Sequence, residues 1–319
     1  MIRSTWKVKA TLLTLLVATV TVLTSCNNDD DDDTVQPQTI TDIVVNDNNF
    51  TLLEAAVVRA GLADALRQGN LTVFAPTDAA FRAAGYNDVA AINALPVNTL
   101  QSVLQYHVLN QRVNAAAIPT AANTAQPSLL TTNGTLYITK DNSGVTVNGA
   151  RVSQADIAAS NGVIHVIDRV LMPPTGDLVA LAQGNPNFSL LVAAVLRAGT
   201  PVINALSGQQ ALTVFAPTNA AFQAAGFANE AAINAANPAT LASILTYHVV
   251  PGRVFSSNIQ NGMDVTTAQG TTIRTAVNGN TVTVLGRGNN NTAANITAAN
   301  MLATNGVVHV IDRVLVPAP

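Results

Sequence analysis

The chain has 319 residues, 48% of them hydrophobic but only 10% charged and 4% aromatic, with a formal net charge of −3. Lys140 is the only lysine beyond the first nine residues, so the basic stripe that sequence-independent nucleic-acid binding requires is missing and no nucleic acid is expected as a partner. A single cysteine permits no intramolecular disulfide, and the sparse aromatics leave sugar-stacking platforms unsupported.

The N-terminus reads as a secretion signal over residues 1–26. Arg3, Lys7 and Lys9 form a positive leader, residues 11–23 are apolar or hydroxylic throughout, and the segment closes on Leu23, Thr24, Ser25 and Cys26. The apolar run would rise only about 20 Å as a helix, short of the roughly 30 Å of a hydrocarbon core, so it does not read as a membrane span. Its ending resembles a bacterial lipobox, which implies that Cys26 is acylated and becomes the new N-terminus. Two or more acyl chains hold a protein to a bilayer stably, so Cys26 is expected as a lipid attachment site and not as a nucleophile. Residues 27–38 follow as an extended acidic tether, because the consecutive aspartates at 29–33 repel one another and bury no apolar area. An acidic run just behind a lipidated cysteine also resembles the surface-export signal of Bacteroidetes-type lipoproteins. That resemblance implies the outer-membrane surface; a plain solvated spacer in the periplasm is the competing reading.

Beyond the tether the sequence is duplicated. FTLLEAAVVRAG at 50–61 recurs as FSLLVAAVLRAG at 188–199, and LTVFAPTDAAFRAAG at 71–85 recurs as LTVFAPTNAAFQAAG at 212–226. QYHV at 105–108 recurs as TYHV at 246–249, and NGVIHVIDRVL at 161–171 as NGVVHVIDRVL at 305–315. The offset drifts from 138 to 144 residues, which places small insertions in loops. Units of about 140 residues are domain-sized and too long for solenoid repeats, so two domains are expected, at 39–174 and 175–319.

Within the first copy, Phe50, Leu52, Leu53, Ala56, Val57 and Ala60 fall at helical spacing, with Asn49 as cap and Gly61 as stop; Asn187 and Gly199 repeat this. Residues 71–75 form a β-favouring run that ends at Pro76, and Thr77 then caps a helix through Phe81 that stops at Gly85; the second copy matches with Pro217, Thr218, Phe222 and Gly226. A third helix is signalled behind Asn98, and more clearly behind Asn237, with Pro238 at its first position and Leu241, Ile244, Leu245 and His248 on one face. Residues 134–140, 144–148, 271–277 and 281–285 read as hairpin strands, punctuated by Asn-Gly at 133/134, 148/149 and 278/279. The HVID segment, apolar on both faces, closes each repeat. Gly286, Arg287 and Gly288 lack the helix-opening glycine pattern of a phosphate cradle and read as a flexible loop. Helices first and strands last define an α+β class with a mainly antiparallel sheet.

The ordered blocks LTVFAPTxAAF, Tyr-His after a helix, and NGV(I/V)HVIDRVL resemble the fasciclin (FAS1) domain, twice over. The resemblance implies a wedge of mainly antiparallel β-strands packed with several helices, in secreted or membrane-anchored proteins of cell adhesion and of matrix or biofilm organisation, without enzymatic activity. In some animal members the Tyr-His region has been linked to integrin binding. The matching positions are Tyr106, His107, Tyr247 and His248, which become the candidate partner-binding residues, toward a protein, matrix or glycan component outside the cell.

All four histidines lie in the repeated motifs, at 107, 165, 248 and 309. A metal site needs three or four convergent ligands, and strand alternation sends His165 and Asp168 to opposite faces, so no metal is expected. The bland expectation for each histidine is a core or near-core ring hydrogen-bonded to backbone or hydroxyl groups, since an unpaired buried polar atom costs roughly 1 to 3 kcal/mol. Asp168-Arg169 and Asp312-Arg313 are expected to serve packing register or local hydrogen bonds. No nucleophile elbow or Ser/His/carboxylate spacing is present, so no catalytic residue and no cofactor is expected. Two readings follow: a lipid-anchored interaction protein, and an envelope protein binding a small ligand or lipid in a groove between helices and sheet. A deep apolar cavity would mark the second.

Overall fold

The computed structural model of the chain describes residues 38–208, 210–279 and 281–318. The expected signal, the aspartate run and Cys26 lie outside the described residues. In the first half, helices α1 (Ile40–Asn46), α2 (Thr51–Ala60), α3 (Asp78–Ala83), α4 (Val89–Asn93) and α5 (Val97–Tyr106) surround strand β1 (Leu71–Pro76) in the chain order. Strands β2 (Val108–Leu109), β3 (Thr124–Pro127), β4 (Thr135–Asp141), β5 (Gly144–Val147), β6 (Ala150–Ala159) and β7 (Gly162–Ile167) follow. The second half repeats the plan with α6 (Leu178–Gln183), α7 (Ser189–Ala198), α8 (Thr200–Leu206), β8 (Leu212–Pro217), α9 (Asn219–Ala224), α10 (Glu230–Ala235) and α11 (Pro238–Tyr247). It ends with β9 (Val249–Pro251), β10 (Asp264–Thr266), β11 (Thr272–Asn278), β12 (Thr281–Gly286), β13 (Ala294–Ala303) and β14 (Gly306–Ile311).

Each half is thus α+β with a seven-stranded, mostly antiparallel sheet, ordered β2-β1-β7-β6-β5-β4-β3 and β10-β11-β12-β13-β14-β8-β9. One pair in each sheet is parallel: β1 with β7, and β8 with β14. These are the FAPT and HVID strands, and the pairing explains their composition. β1, β7 and β14 are buried along their whole length and β8 nearly so, and all four are largely apolar instead of alternating, interrupted only by Thr72, Thr213, His165 and His309.

Local signals place several ends as expected. Thr77 and Thr218 cap α3 and α9 through their hydroxyls, and Asn237 caps α11 by accepting from the Ala239 and Thr240 amides at 2.8 and 3.4 Å. Three expectations are corrected. Asn49 and Asn187 sit inside short 3₁₀ turns and do not cap α2 or α7. The acceptor for α2 comes from Asp78, which takes the Leu52 amide at 2.9 Å and the Thr51 hydroxyl at 2.5 Å; for α7 it is Asn219, which takes the Leu190 amide at 3.0 Å. Asn98 lies within α5, behind Pro96. Gly286 to Gly288 is no loose loop: the Gly288 amide donates to the Val316 carbonyl at 2.8 Å, and a Cβ on Gly286 would collide with Asn289 and the Val316 backbone.

The two halves share an apolar cluster. Phe255, Leu302 and Val307 of the second pack with Phe74, Tyr106, Leu136 and Ile167 of the first, and the Phe255 ring lies 6.2 Å from that of Tyr137. The Arg253 guanidinium stands 4.1 Å over the same Tyr137 ring. Asn123 donates to the Arg253 carbonyl at 2.5 Å, and Asn258 to the Thr139 hydroxyl at 3.3 Å. Gly149 is required here twice: its φ of 77° follows Asn148 at 48°, the paired positive φ of a tight hairpin turn, and a Cβ would run into the Asn300 side chain of the other half. Phe255→Ala is expected to destabilise the pair by roughly 3 to 5 kcal/mol and to split the calorimetric unfolding into two transitions. A single transition at the parent temperature would show that Phe255 does not couple the halves.

Candidate functional site

The Tyr-His pairs end α5 and α11, and the structure places all four side chains inside. Tyr106 and Tyr247 are fully buried, and His107 and His248 are 2% exposed. Tyr106 donates its hydroxyl to the Thr135 carbonyl at 2.9 Å and accepts from the Asn148 amide group at 2.9 Å. Tyr247 donates to the Thr272 carbonyl at 2.8 Å and accepts from the Arg287 backbone amide at 2.9 Å. The two halves therefore fill one acceptor position differently, with the Asn-Gly turn side chain in one and the Gly286–Gly288 segment in the other. Burial pushes the Tyr106 phenol well up, against the opposing pull of its Asn148 hydrogen bond.

Each histidine bridges two stretches of backbone. The Nδ1 of His107 meets the Val103 carbonyl at 2.7 Å, and its Nε2 accepts from the Leu171 amide at 2.9 Å. His248 repeats this with Ile244 at 2.8 Å and Leu315 at 2.8 Å. A ring nitrogen facing a carbonyl must carry the proton, and one facing an amide must not. Both rings are therefore neutral Nδ1–H tautomers that tie the ends of α5 and α11 to the residues after the HVID strands. His165 and His309 take the opposite tautomer: Nε2 donates to Val113 and Val254 at 2.8 Å each, and Nδ1 accepts from Asp156 and Asn300 at 3.2 and 3.4 Å. Their rings lie 5.6 Å from Phe74 and Phe215. Burial lowers His107, His248 and His309 to about 4, each opposed by the carbonyl bond it donates.

No functional cluster emerges from these residues. Among the described residues, no group of three or more His, Cys, Asp or Glu could hold a metal ion. Asp168 and Asp312 serve local hydrogen bonding: each accepts the backbone amide of the neighbouring strand at 2.8 Å, from Arg151 and from Asn295. As contact groups for a partner, the Tyr and His side chains have no exposed surface to offer.

Beside each Tyr-His pair lies a feature that the motifs did not single out. A cavity of about 200 Å³ opens between α1, α2 and the sheet of the first half, lined by Ile40, Val44, Leu53, Val57, Leu104 and His107. Its counterpart in the second half, about 110 Å³, is lined by Leu178, Ala182, Leu191, Val195, Leu245 and His248. Both fall below the roughly 300 to 1,000 Å³ of a drug-sized site. The three most exposed large hydrophobic residues described, Val58 at 66%, Leu196 at 61% and Val45 at 50%, all belong to these linings. A sequence signal existed: the pairs Val57-Val58 and Val195-Leu196 carry apolar character past the buried stripe of an amphipathic helix.

The fold and its buried histidine brackets define a tandem pair of α+β modules, each sealed by the same ring-to-backbone contacts. The Fasciclin domain family model matches residues 48–173 and 186–317, and the chain belongs to that family through two tandem copies. Transforming growth factor-beta-induced protein ig-h3 of Sus scrofa is 29% identical over 249 residues, 78% of this chain and 35% of that protein. Protein sll1483 of Synechocystis sp. is 41% identical over 154 residues, 48% of this chain and 79% of that protein. A solved FAS1 domain pair from the insect cell adhesion molecule fasciclin I is 20% identical, covers 86% of this chain and 95% of its own, and has a TM-score of 0.42. The chain spans about a third of the length of the ig-h3 relative. Among the described residues, no helix is long and apolar enough to cross a membrane.

Proposed function

We propose that this is a non-enzymatic interaction protein working outside the cytoplasm, moored by acyl chains on Cys26 and presented through the acidic tether at the outer-membrane surface. Its modules, at 39–174 and 175–319, contact other cells, matrix or envelope components. The observation that carries this reading is the fasciclin duplication, joined through Phe255 and Tyr137 into a pair. Two contacts held on one chain gain effective concentration, which serves adhesion and does nothing for a single-substrate enzyme. The resemblance to fasciclin proteins supports an adhesion or matrix role. On this reading, Tyr106, His107, Tyr247 and His248 act by fixing the segments around them and not by touching the partner.

Protease shaving of intact cells, followed with an antibody to the second module, tests exposure: loss of signal is expected, and survival on whole cells removes the adhesin reading. Cys26→Ser is expected to abolish incorporation of labelled palmitate and to release the protein from the membrane fraction. Retention at the parent level would overturn the anchor.

A further inference from the structure

We infer that the cavity of the first module is a binding site for one alkyl chain of a single-chain amphiphile with a zwitterionic head, the chemistry of a lysophospholipid. Three observations converge on it. The lining is apolar at depth, and its two buried polar residues are committed: His107 through both ring nitrogens to Val103 and Leu171, and Thr41 through its hydroxyl, which donates to the Ala63 carbonyl at 3.3 Å. Neither side chain has an N–H or O–H left to donate to a polar ligand, so the depth of the cavity suits hydrocarbon. An apolar cavity of about 150 Å³ stays dry and takes benzene; by proportion, about 200 Å³ holds the last eight or so carbons of one chain, and the two tails of a bilayer phospholipid do not fit.

The mouth says which way the chain lies. Val45 and Val58, exposed at 50% and 66%, carry the apolar surface outward from the cavity, so the methyl end goes in and the head stays in water. That head meets charges of both signs. Glu54 and Arg67 belong to the cavity lining, and Arg67 stands 4.0 Å from Asp42 with both side chains about half exposed. An ammonium suits the two carboxylates and a phosphate suits the guanidinium, whereas a simple fatty acid meets more negative charge than positive. In the second module the lining of the smaller cavity contains no charged side chain. About half the volume and a mouth without charge in the second module predict one tight site per chain.

The test is calorimetric titration of the protein with monomeric octylphosphocholine. Saturable binding at one site is expected, weakening about 15-fold when the chain is shortened to hexyl, since each methylene contributes about fourfold, or ~0.8 kcal/mol. Val58→Glu, a surface change that leaves the core intact, is expected to weaken binding at least tenfold, while Leu196→Glu at the second mouth leaves it unchanged. Arg67→Gln should remove the preference for octylphosphocholine over octanoate. Absence of saturable binding, affinity indifferent to chain length, or parental binding by Val58→Glu overturns the site. Octanoate binding as tightly as octylphosphocholine to the parent overturns the zwitterionic head. Co-sedimentation with phosphatidylcholine vesicles that is lost in Val58→Glu would overturn the monomeric ligand in favour of a membrane surface.

Discussion

Replacing Tyr247 and His248 together by Ala is expected to unfold the second module at physiological temperature. Each side chain is at most 2% exposed, and truncating a buried aromatic costs about 3 to 5 kcal/mol. The lost imidazole also leaves the Ile244 carbonyl and the Leu315 amide without their partner, at about 1 to 3 kcal/mol for each unsatisfied group. Neighbouring effects do not add fully, but a combined loss on the order of 5 kcal/mol is comparable with the whole stability of a typical domain. Tyr247→Phe is the milder probe, because it keeps the ring and removes only the bonds to the Thr272 carbonyl and the Arg287 amide. Denaturant midpoints and cell attachment should be measured on the same variants. Early melting of both, in proportion to the bonds removed, marks the pair as structural. A double variant that stays folded and loses only attachment would make it a contact surface and overturn the reading given above.

Mild acid should destabilise the protein steeply. His107, His248 and His309 are held at about 4 by burial, below the ordinary value of about 6.5. As the pH falls below 6.5 the unfolded chain takes up protons that the folded one refuses, so this contribution is complete above that pH and is lost as the pH falls toward 4. Each histidine accounts for up to about 3 kcal/mol, and three titrating together give a slope of about 4 kcal/mol per pH unit in the middle of the window. The mechanism is visible in the bonds: a second proton on either bracketing ring would face a backbone N–H, from Leu171 or from Leu315. Asp42 and Asp141, lowered mainly by hydrogen bonds from Thr39 and Ser143, lose their contribution in the same direction at lower pH. Urea midpoints at pH 7.5, 6.0 and 5.0 check this. A midpoint that stays level across that range would mean that the rings accept protons in place and that their neutral state is not what the fold requires.

Much of the architecture was readable because its chemistry is local. Thr77, Thr218 and Asn237 announce helix starts through a hydroxyl or amide that satisfies amides two or three residues on, the β-favouring run before FAPT announces a strand, and HVID, apolar on both faces, announces one covered on both. Duplication made each signal count twice. Strands β6 and β13 escaped because β6 is mostly exposed and β13 mixes exposed with half-buried residues, and because bulges at Asp156 and Asn300, both at positive φ, break the alternation that would reveal them.

Residue type and spacing alone thus determined two domain-sized α+β modules of low charge content, with histidines set in or beside their cores. Closure of the chain on itself decided the rest. It sets Asp78 against the first turn of α2, 26 residues earlier, and runs β1 parallel to β7. It brings Phe255 to Tyr137 across the halves and leaves cavities beside rings that have no donor or acceptor to spare. Such contacts join groups far apart in the chain, and no local pattern encodes a hydrogen bond whose partner arrives only when the sheet has formed.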